Sequence, residues 1–117
     1  MTTELKPWGT HKVVFDRTNF KVKYICIDKG HRISLQRHSS RSENWVVVKG
    51  HPIVTKGNST ILLNPEDSIY IPLGEVHRIE ADRDDVHIIE VQHGICDEND
   101  IERLHDDYSR RISGGIA

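Results

Sequence analysis

The chain has 117 residues, a formal net charge of −2 and a sequence pI near 6.4. This length fits one domain, which we expect to span residues 1–117 with a core at about 6–110. The mixed charge does not favour a nucleic-acid or membrane surface. No apolar stretch reaches the ~20 residues of a membrane span, and residues 1–6 lack the apolar region of a signal peptide. The sequence therefore predicts a cytoplasmic protein.

The first predicted strand covers residues 20–28, FKVKYICID, which alternate and are rich in β-branched and aromatic side chains. Cys26 shares a face of this strand with Phe20, Val22 and Tyr24, so we expect Cys26 to lie in the core. The chain has two cysteines and no CxxC pair, and a cysteine-ligated zinc site is therefore not expected.

Short strand patterns continue along the chain, separated by turn residues. Seven or eight strands at a spacing of 8–12 residues are typical of an all-β sandwich or barrel. The sequence offers one late, short helix, capped by Asp97 or Asn99 and running through Leu104. The predicted strands after the first are 31–38, 43–49, 51–56, 59–63, 68–71, 76–80 and 86–92.

Four polar side chains have a spacing that suits metal binding. Gln36 and His38 are two residues apart, so they point to the same side of a strand. Glu43 opens the next strand after a short loop, and a hairpin can return it close to His38. His77 begins a later strand just past a Pro-x-Gly turn, which a closed barrel can place beside that hairpin. Two imidazoles, a carboxylate and an amide oxygen would then converge.

Such a ligand set suits a divalent metal, with zinc as the first choice and Mn, Co, Ni or Fe as alternatives. A glutamine oxygen is a weak neutral ligand, which leaves the metal Lewis acidic and open to water or substrate. A Gln-x-His pair or a single histidine is, by itself, more often a surface feature. The joint spacing of all four residues is what supports ligation.

Residues 30–50 have the pattern G-x5-Q-x-H-x4-E-x6-G, which resembles the first cupin motif with glutamine in place of the usual first histidine. Residues 72–77, P-x-G-x2-H, resemble the second motif. Glu66 and Ala81 stand where that second motif usually has glycine and asparagine. The resemblance implies a single cupin barrel (a double-stranded β-helix or jelly roll) in which Gln36, His38, Glu43 and His77 are the metal ligands.

Within the cupins, the chain resembles the C-terminal domain of type II phosphomannose isomerases, which is often fused to a mannose-1-phosphate guanylyltransferase. Two departures are Ser39-Ser40, where the family usually has a histidine-rich turn, and Asn44, where it usually has histidine. Neither position is a proposed ligand. The similar segments are 6–9 (KPWG), 20–23 (FKVK), 33–38 (ISLQRH), 41–48 (RSENWVVV), 70–72 (YIP), 76–78 (VHR), 89–92 (IEVQ) and 106–110 (DDYSR).

This resemblance implies interconversion of mannose 6-phosphate and fructose 6-phosphate through an enediol, in the supply of nucleotide-sugar and polysaccharide precursors. Arg41, Glu43 and Lys23 are the candidate catalytic residues, and the identity of the base stays open. Lys23 shares a strand face with Lys21, and one of the two could reach into the barrel. Arg41, and after it Arg110, are candidates for binding the substrate's phosphate.

Other conspicuous side chains are expected to be structural. Trp45 shares a face with Glu43, so barrel packing is favoured over sugar stacking, and Trp8 should anchor the N-terminal arm. Arg78 should point away from His77 as a solvated charge. The remaining histidines are expected to be structural or exposed: His11, His31, His51, His87, His93 and His105.

Three further functions stay open at this point. The first is a non-catalytic sugar-binding cupin module, and the second is an isomerase- or epimerase-like enzyme for another sugar phosphate. The third is a metal dioxygenase, against which Gln36 counts because iron dioxygenases that resemble this chain in fold generally use histidine there. The expected partners are a small-molecule sugar phosphate and a second copy of the chain in a homodimer, with no nucleic acid and no membrane.

Overall fold

The computed structural model describes residues 2–110, which form twelve strands and no helix. No segment of this described part is therefore a helix that could cross a membrane. The strands are β1 (Thr3–Lys6), β2 (Gly9–Asp16), β3 (Phe20–Ile27), β4 (His31–Arg32), β5 (Leu35–Arg37), β6 (Arg41–Lys49), β7 (Ile53–Lys56), β8 (Ser59–Leu62), β9 (Ser68–Ile71), β10 (His77–Ala81), β11 (Val86–Gly94) and β12 (Glu102–His105).

The strands form two antiparallel sheets. The first has the order β1-β2-β3-β11-β6-β9, and the second has the order β12-β5-β10-β7-β8, with β4 also paired to β10. Strands that are distant in the chain lie side by side, such as β3 with β11 and β5 with β10. This arrangement confirms the predicted all-β class, and it brings residues from both halves of the chain to one interior.

The inner faces of the two sheets enclose one apolar cluster. Trp45 and Trp8 belong to it and are 1% and 6% exposed, in agreement with their predicted packing roles. The other members are Ile25, Ile27, Ile33, Val47, Val54, Leu63, Ile71, Ile79, Ala81, Val86 and Ile88.

The interior of the first sheet changes from apolar to charged along the strands. Side chains that face inward on β3, β11 and β6 lie in register, so they can be followed as rows across the sheet. The apolar row is followed by a mixed row and then by a polar one, which places charged groups at one end of the barrel. Three successive rows are Ile25–Ile88–Val47, Lys23–Glu90–Trp45 and Lys21–Gln92–Glu43.

The prediction that Cys26 lies in the core is wrong, because the opposite face of β3 is the buried one. Lys21 and Lys23 are buried on that inner face, while Cys26 is half-buried on the outer face. Phe20, also on the outer face, stacks on Phe15 with ring centroids 5.6 Å apart. The apolar residues that predicted a core face therefore pack on the outside of the sheet. The buried lysines are paired with carboxylates, as described below.

The predicted helix from Asp97 or Asn99 through Leu104 is also wrong. The Asp97 carboxylate does accept the backbone N–H of Asn99 at 2.9 Å, as a cap would. The chain then extends instead as β12, which pairs with β5. Backbone hydrogen bonds to the edge of β5 stabilise the strand more than the weak local helix propensity would stabilise a helix. The predicted strand 31–38 is likewise divided into β4 and β5, and the sequence pattern did not predict β1 or β2.

Candidate metal centre

The four predicted ligands come together at the polar end of the barrel. Gln36 on β5 is the register partner of His77, the first residue of β10. His38 follows β5 directly, and Glu43 lies on β6. His38, Glu43 and His77 are almost fully buried, and each offers one ligand atom within 4.8 Å of the others.

Both histidines are oriented by the backbone. Nδ1 of His38 lies 2.6 Å from the carbonyl oxygen of Asp100, and Nδ1 of His77 lies 2.9 Å from that of Glu75. A carbonyl oxygen only accepts, so each Nδ1 carries the hydrogen and each Nε2 keeps its lone pair. The two Nε2 atoms lie 3.4 Å and 3.7 Å from the oxygens of Glu43. Ring nitrogens fixed in this way are typical of histidines that bind metals.

Both imidazoles are neutral at physiological pH. Burial lowers the pKa of His38 to about 4, and the charges of Arg41 and His77 act in the same direction. Burial also lowers the pKa of His77. The close approach of these rings to Glu43 is therefore not an ion pair, and three converging donor atoms of this chemistry fit a divalent cation.

Gln36 fits the fourth position. Its side chain lines the same cavity as the two histidines and Glu43. Its amide nitrogen donates to the carbonyl oxygen of Ser34 over 3.4 Å, which leaves the amide oxygen as the atom available to a ligand. With Gln36, the predicted donor set would comprise two nitrogens and two oxygens.

Arg41 lies beside this cluster and is itself buried. It donates from Nε to Glu43 Oε2 at 2.9 Å and from a terminal nitrogen to His38 Nε2 at 3.2 Å. Its other terminal nitrogen donates to the carbonyl oxygen of Asp97 at 3.1 Å. The indole of Trp45 donates to Glu43 Oε1 at 3.2 Å. The Arg41 guanidinium therefore brings a positive charge to two of the three donor groups, those of Glu43 and His38.

A cavity of about 180 Å³ opens from the cluster. Ser34 lines it with a buried hydroxyl that has no protein partner among the described residues. Cationic side chains dominate its charged lining, which suits an anionic, hydroxyl-bearing ligand. These cations are Lys6, Lys23, Arg41, Arg103 and Arg110.

Three predicted cations have partners inside the protein. Arg110 is held by Asp106 through Nε at 2.9 Å and a terminal nitrogen at 3.0 Å. Lys23 lies 2.5 Å from an oxygen of Glu98. Arg78 points away from His77, but the prediction of a solvated charge is wrong, since Arg78 is buried and donates to the carbonyl oxygen of Ile33 at 2.9 Å. It is covered because β12 closes that face.

Glu90 is a cavity residue that sequence reasoning missed. It is 6% exposed on the inner face of β11, and the amide nitrogen of Gln92 donates to it at 2.6 Å. Burial raises its pKa, and the negative charge of Glu43 raises it further. The alternation of side chains along β11 could have predicted that Glu90 points inward, because it falls on the same face as Val86 and Ile88.

Glu98 and Asp100 were missed as well, and both belong to the loop 95–101. The Asp100 carboxylate accepts the backbone N–H groups of Ser39 and Ser40 at 2.9 Å each. No periodic pattern marks a loop residue, so no signal in the sequence pointed to either acid.

The other histidines are not members of the cluster, although His11 lines the same cavity. His11 is buried against Glu4, and His93 is exposed. The rest have hydrogen-bond partners outside the cluster: His31 with Tyr108, His51 with Asp84, His87 with Tyr24 and His105 with Arg78.

Comparison with known proteins gives a family match along most of the chain. A family model described as "Mannose-6-phosphate isomerase C-terminal" matches residues 1–106. Over 107 residues, 90% of this chain, the identity is 44% to the alginate biosynthesis protein AlgA of Pseudomonas aeruginosa. It is 40% to the xanthan biosynthesis protein XanB of Xanthomonas campestris and 37% to the mannose-1-phosphate guanylyltransferase ManC of Salmonella typhimurium. These 107 residues span 22–23% of the length of each relative.

Solved structures show the same fold at low identity. KdgF from a Halomonas species superposes with a TM-score of 0.77 at 19% identity, over 85% of this chain and 93% of that protein. An RmlC-like cupin from Shewanella frigidimarina gives 0.76 at 19% identity, over 84% and 86%. The barrel is therefore a cupin, and the chain belongs to the family of mannose-6-phosphate isomerase C-terminal domains.

Proposed function

We propose that this chain is a metal-dependent aldose–ketose isomerase that interconverts mannose 6-phosphate and fructose 6-phosphate. The observation that carries the proposal is the buried cluster of His38, Glu43 and His77 at the floor of a cation-rich cavity. The names of the family and of its alginate and xanthan relatives support a role in polysaccharide precursor supply. A cytoplasmic location and a homodimer are parts of the same proposal.

The proposed metal ligands are Gln36, His38, Glu43 and His77, and zinc is the first choice of ion. A bound divalent ion supplies positive charge that stabilises negative charge developing on a substrate oxygen. The chain's own contribution is to hold the two imidazoles neutral and aimed inward, through the carbonyl groups of Asp100 and Glu75. The hydroxyl of Ser34 is available for a sugar hydroxyl.

The isomerisation moves a proton between neighbouring carbons, and Glu90 is the proposed carrier. Glu43 is occupied by Arg41 and Trp45, and the ammonium group of Lys23 is paired with Glu98. Glu90 lies outside the ligand set and faces the cavity. Burial, and after it the charge of Glu43, raise the pKa of Glu90. A carboxyl pKa raised towards the working pH makes the group a better general base. Glu90 replaces Glu43 and Lys23 as the candidate base.

Metal analysis and a coupled assay with mannose 6-phosphate test the proposal together. Wild type should carry one divalent ion per chain and turn over the sugar, and His77→Ala should lose both. His93→Ala, an exposed histidine, is the matched control and should keep both. Metal without turnover in the wild type would favour a non-catalytic sugar-binding module, and absence of metal from every variant would exclude the ligand set.

A further inference from the structure

We infer that Lys21 and Lys23 form a subsite for the phosphate group of the substrate, and that Glu98 occupies this subsite in the free protein. The identification of the anion as a sugar's phosphate rests on the proposed function. The existence of an anion subsite rests only on the contacts of these three residues.

Both lysine side chains are buried, which is rare for lysine. Lys21 and Lys23 are 7% and 4% exposed, and they follow one another on the inner face of β3. Lysine is almost never buried without a partner, because an unpaired ammonium group in a protein interior is strongly unfavourable. Two adjacent buried ammonium groups therefore require an anion between them.

Glu98 supplies that anion with a single oxygen. Its Oε1 lies 2.5 Å from Nζ of Lys23 and 3.5 Å from Nζ of Lys21, which also donates to the carbonyl oxygen of Cys96 at 3.1 Å. The burial is unequal, since the Glu98 side chain is 54% exposed and both lysine side chains are below 10%. The cations are fixed within the barrel while the anion reaches in from its surface, so an external anionic oxygen could replace it.

The loop that carries Glu98 is fastened by other residues. Asp100 holds its far end to Ser39 and Ser40, and Ile95 N–H donates to the carbonyl oxygen of Ser40 at 3.0 Å at its near end. Gly94, just before the loop, has φ +117°, and a Cβ there would overlap the same carbonyl oxygen. The Glu98 side chain can therefore turn out to solvent while the backbone of the loop stays in place.

Electrostatics allow a phosphate group to compete with the glutamate. Partial burial of the Glu98 carboxyl acts against ionisation, yet the hydrogen bond and charge of Lys23, with the charges of Lys21 and Arg41, lower its pKa to about 2. The same cations interact more strongly with a dianion than with one carboxylate. Lys23 and Glu98 also line the cavity of the metal cluster, so one ligand could place its phosphate on the lysines and its carbonyl end near His77.

The test is titration calorimetry of the purified, metal-containing protein with inorganic phosphate. Glu98→Gln removes the competing charge and should tighten phosphate binding by about tenfold relative to wild type. The double variant Glu98→Gln with Lys23→Gln should lose that gain. Glu102→Gln is the matched control, since its carboxylate pairs with exposed Arg37, and it should bind phosphate as wild type does. Unchanged or weaker binding in folded Glu98→Gln would overturn the inference.

A second measurement does not depend on any variant folding. Nuclear magnetic resonance of the lysine side chains in wild type should show Lys21 and Lys23 shifting together as phosphate is added. Saturation without a shift of either signal would also overturn the inference. Kinetics separate it from the proposed function: improved phosphate binding without turnover of mannose 6-phosphate would exclude the isomerase only. Turnover with unchanged phosphate binding would exclude the subsite only.

Discussion

At the scale of single residues, Glu43 and Glu90, two of the acids that line the cavity, have opposite surroundings. Each oxygen of Glu43 accepts a hydrogen bond, one from Arg41 and one from Trp45, and both face neutral imidazole nitrogens. Glu90 has the amide of Gln92 as its hydrogen-bond donor and lies opposite Lys23 in the sheet. The Glu43 carboxyl is thus held in one orientation that suits ligation, whereas Glu90 is the acid whose pKa is raised by burial.

Replacement of Glu90 by glutamine should separate catalysis from folding. Turnover should fall by about 100-fold or more, the usual contribution of a general base. Metal content should not change, and the melting temperature at pH 7 should not fall, because a raised carboxyl pKa means that the charged form destabilises the fold. Coupled kinetics and thermal melts check both expectations. Glu80→Gln, outside the cavity, is the control, and near-normal turnover in Glu90→Gln would place proton transfer elsewhere.

Residues differ in how far the sequence could predict them. The four proposed ligands were accessible because a two-residue step, a short loop and a Pro-x-Gly turn each restrict where a side chain can lie. Glu90 was accessible from strand alternation. Glu98 and Asp100 were not, since their roles depend on a loop crossing to the start of β6, and no local pattern encodes that approach.

At the scale of elements, β3 shows why apolar pattern alone can select the wrong face. Both faces of this strand carry large apolar groups, and the difference lies in what they meet. The outer face meets Phe15 and His87 on neighbouring strands, and the inner face meets Ile88 and Glu90 of β11 on its way into the cavity. A pair of lysines on the inner face is tolerated only because carboxylates from distant segments lie there.

The burial of β3 predicts unequal costs for two neighbouring substitutions. Ile25→Ala should lower the free energy of unfolding by about 2–4 kcal/mol, since it empties a core position. Cys26→Ala should cost less than about 1 kcal/mol, because its side chain is half-buried on the outer face. Urea denaturation of both variants is the measurement. Equal costs would contradict the assigned face.

The C-terminal segment shows a second limit. Asp97 caps its own turn as the sequence predicts, yet the residues that follow take backbone partners on β5. Whether such a segment forms a helix or a strand is decided by an open sheet edge contributed by residues more than 60 positions earlier. The all-β class was accessible from turn spacing, whereas the pairing of the last strand was not.

At the scale of the whole molecule, metal and fold should be coupled. An ion that binds only the folded chain stabilises it by mass action, about 2.7 kcal/mol at a hundredfold excess over its dissociation constant. For a domain of this size, a chelator should then lower the melting temperature of the wild type by roughly 10 °C. His77→Ala should not respond to the chelator, and His93→Ala should respond as wild type does. A wild-type melting temperature unaffected by chelation would contradict a tight site.

Acid should remove the stabilisation that ionised Glu98 gives to the fold. The pKa of Glu98 is about 2 in the fold, below its ordinary value of 4.5, so its stabilising contribution is complete above pH 4.5 and is lost as the pH falls towards 2. Wild type should therefore be more stable than Glu98→Gln at pH 7, and the difference should shrink between pH 4.5 and 2. Denaturant titrations across that range test this, and a constant difference would refute it.

In the first sheet, the order of the rows assigns folding and ligand binding to different residues. A small protein usually has to use the same residues for both. The row through Ile88 holds the two sheets together, while the rows through Glu90 and Gln92 face ligands. Apart from Trp45, which belongs to the core, the side chains of the ligand-facing rows contribute little of the apolar contact that keeps the barrel folded. Such a scaffold is evolvable: a few exchanges at one end can redirect it to another anionic ligand while the other end preserves the architecture.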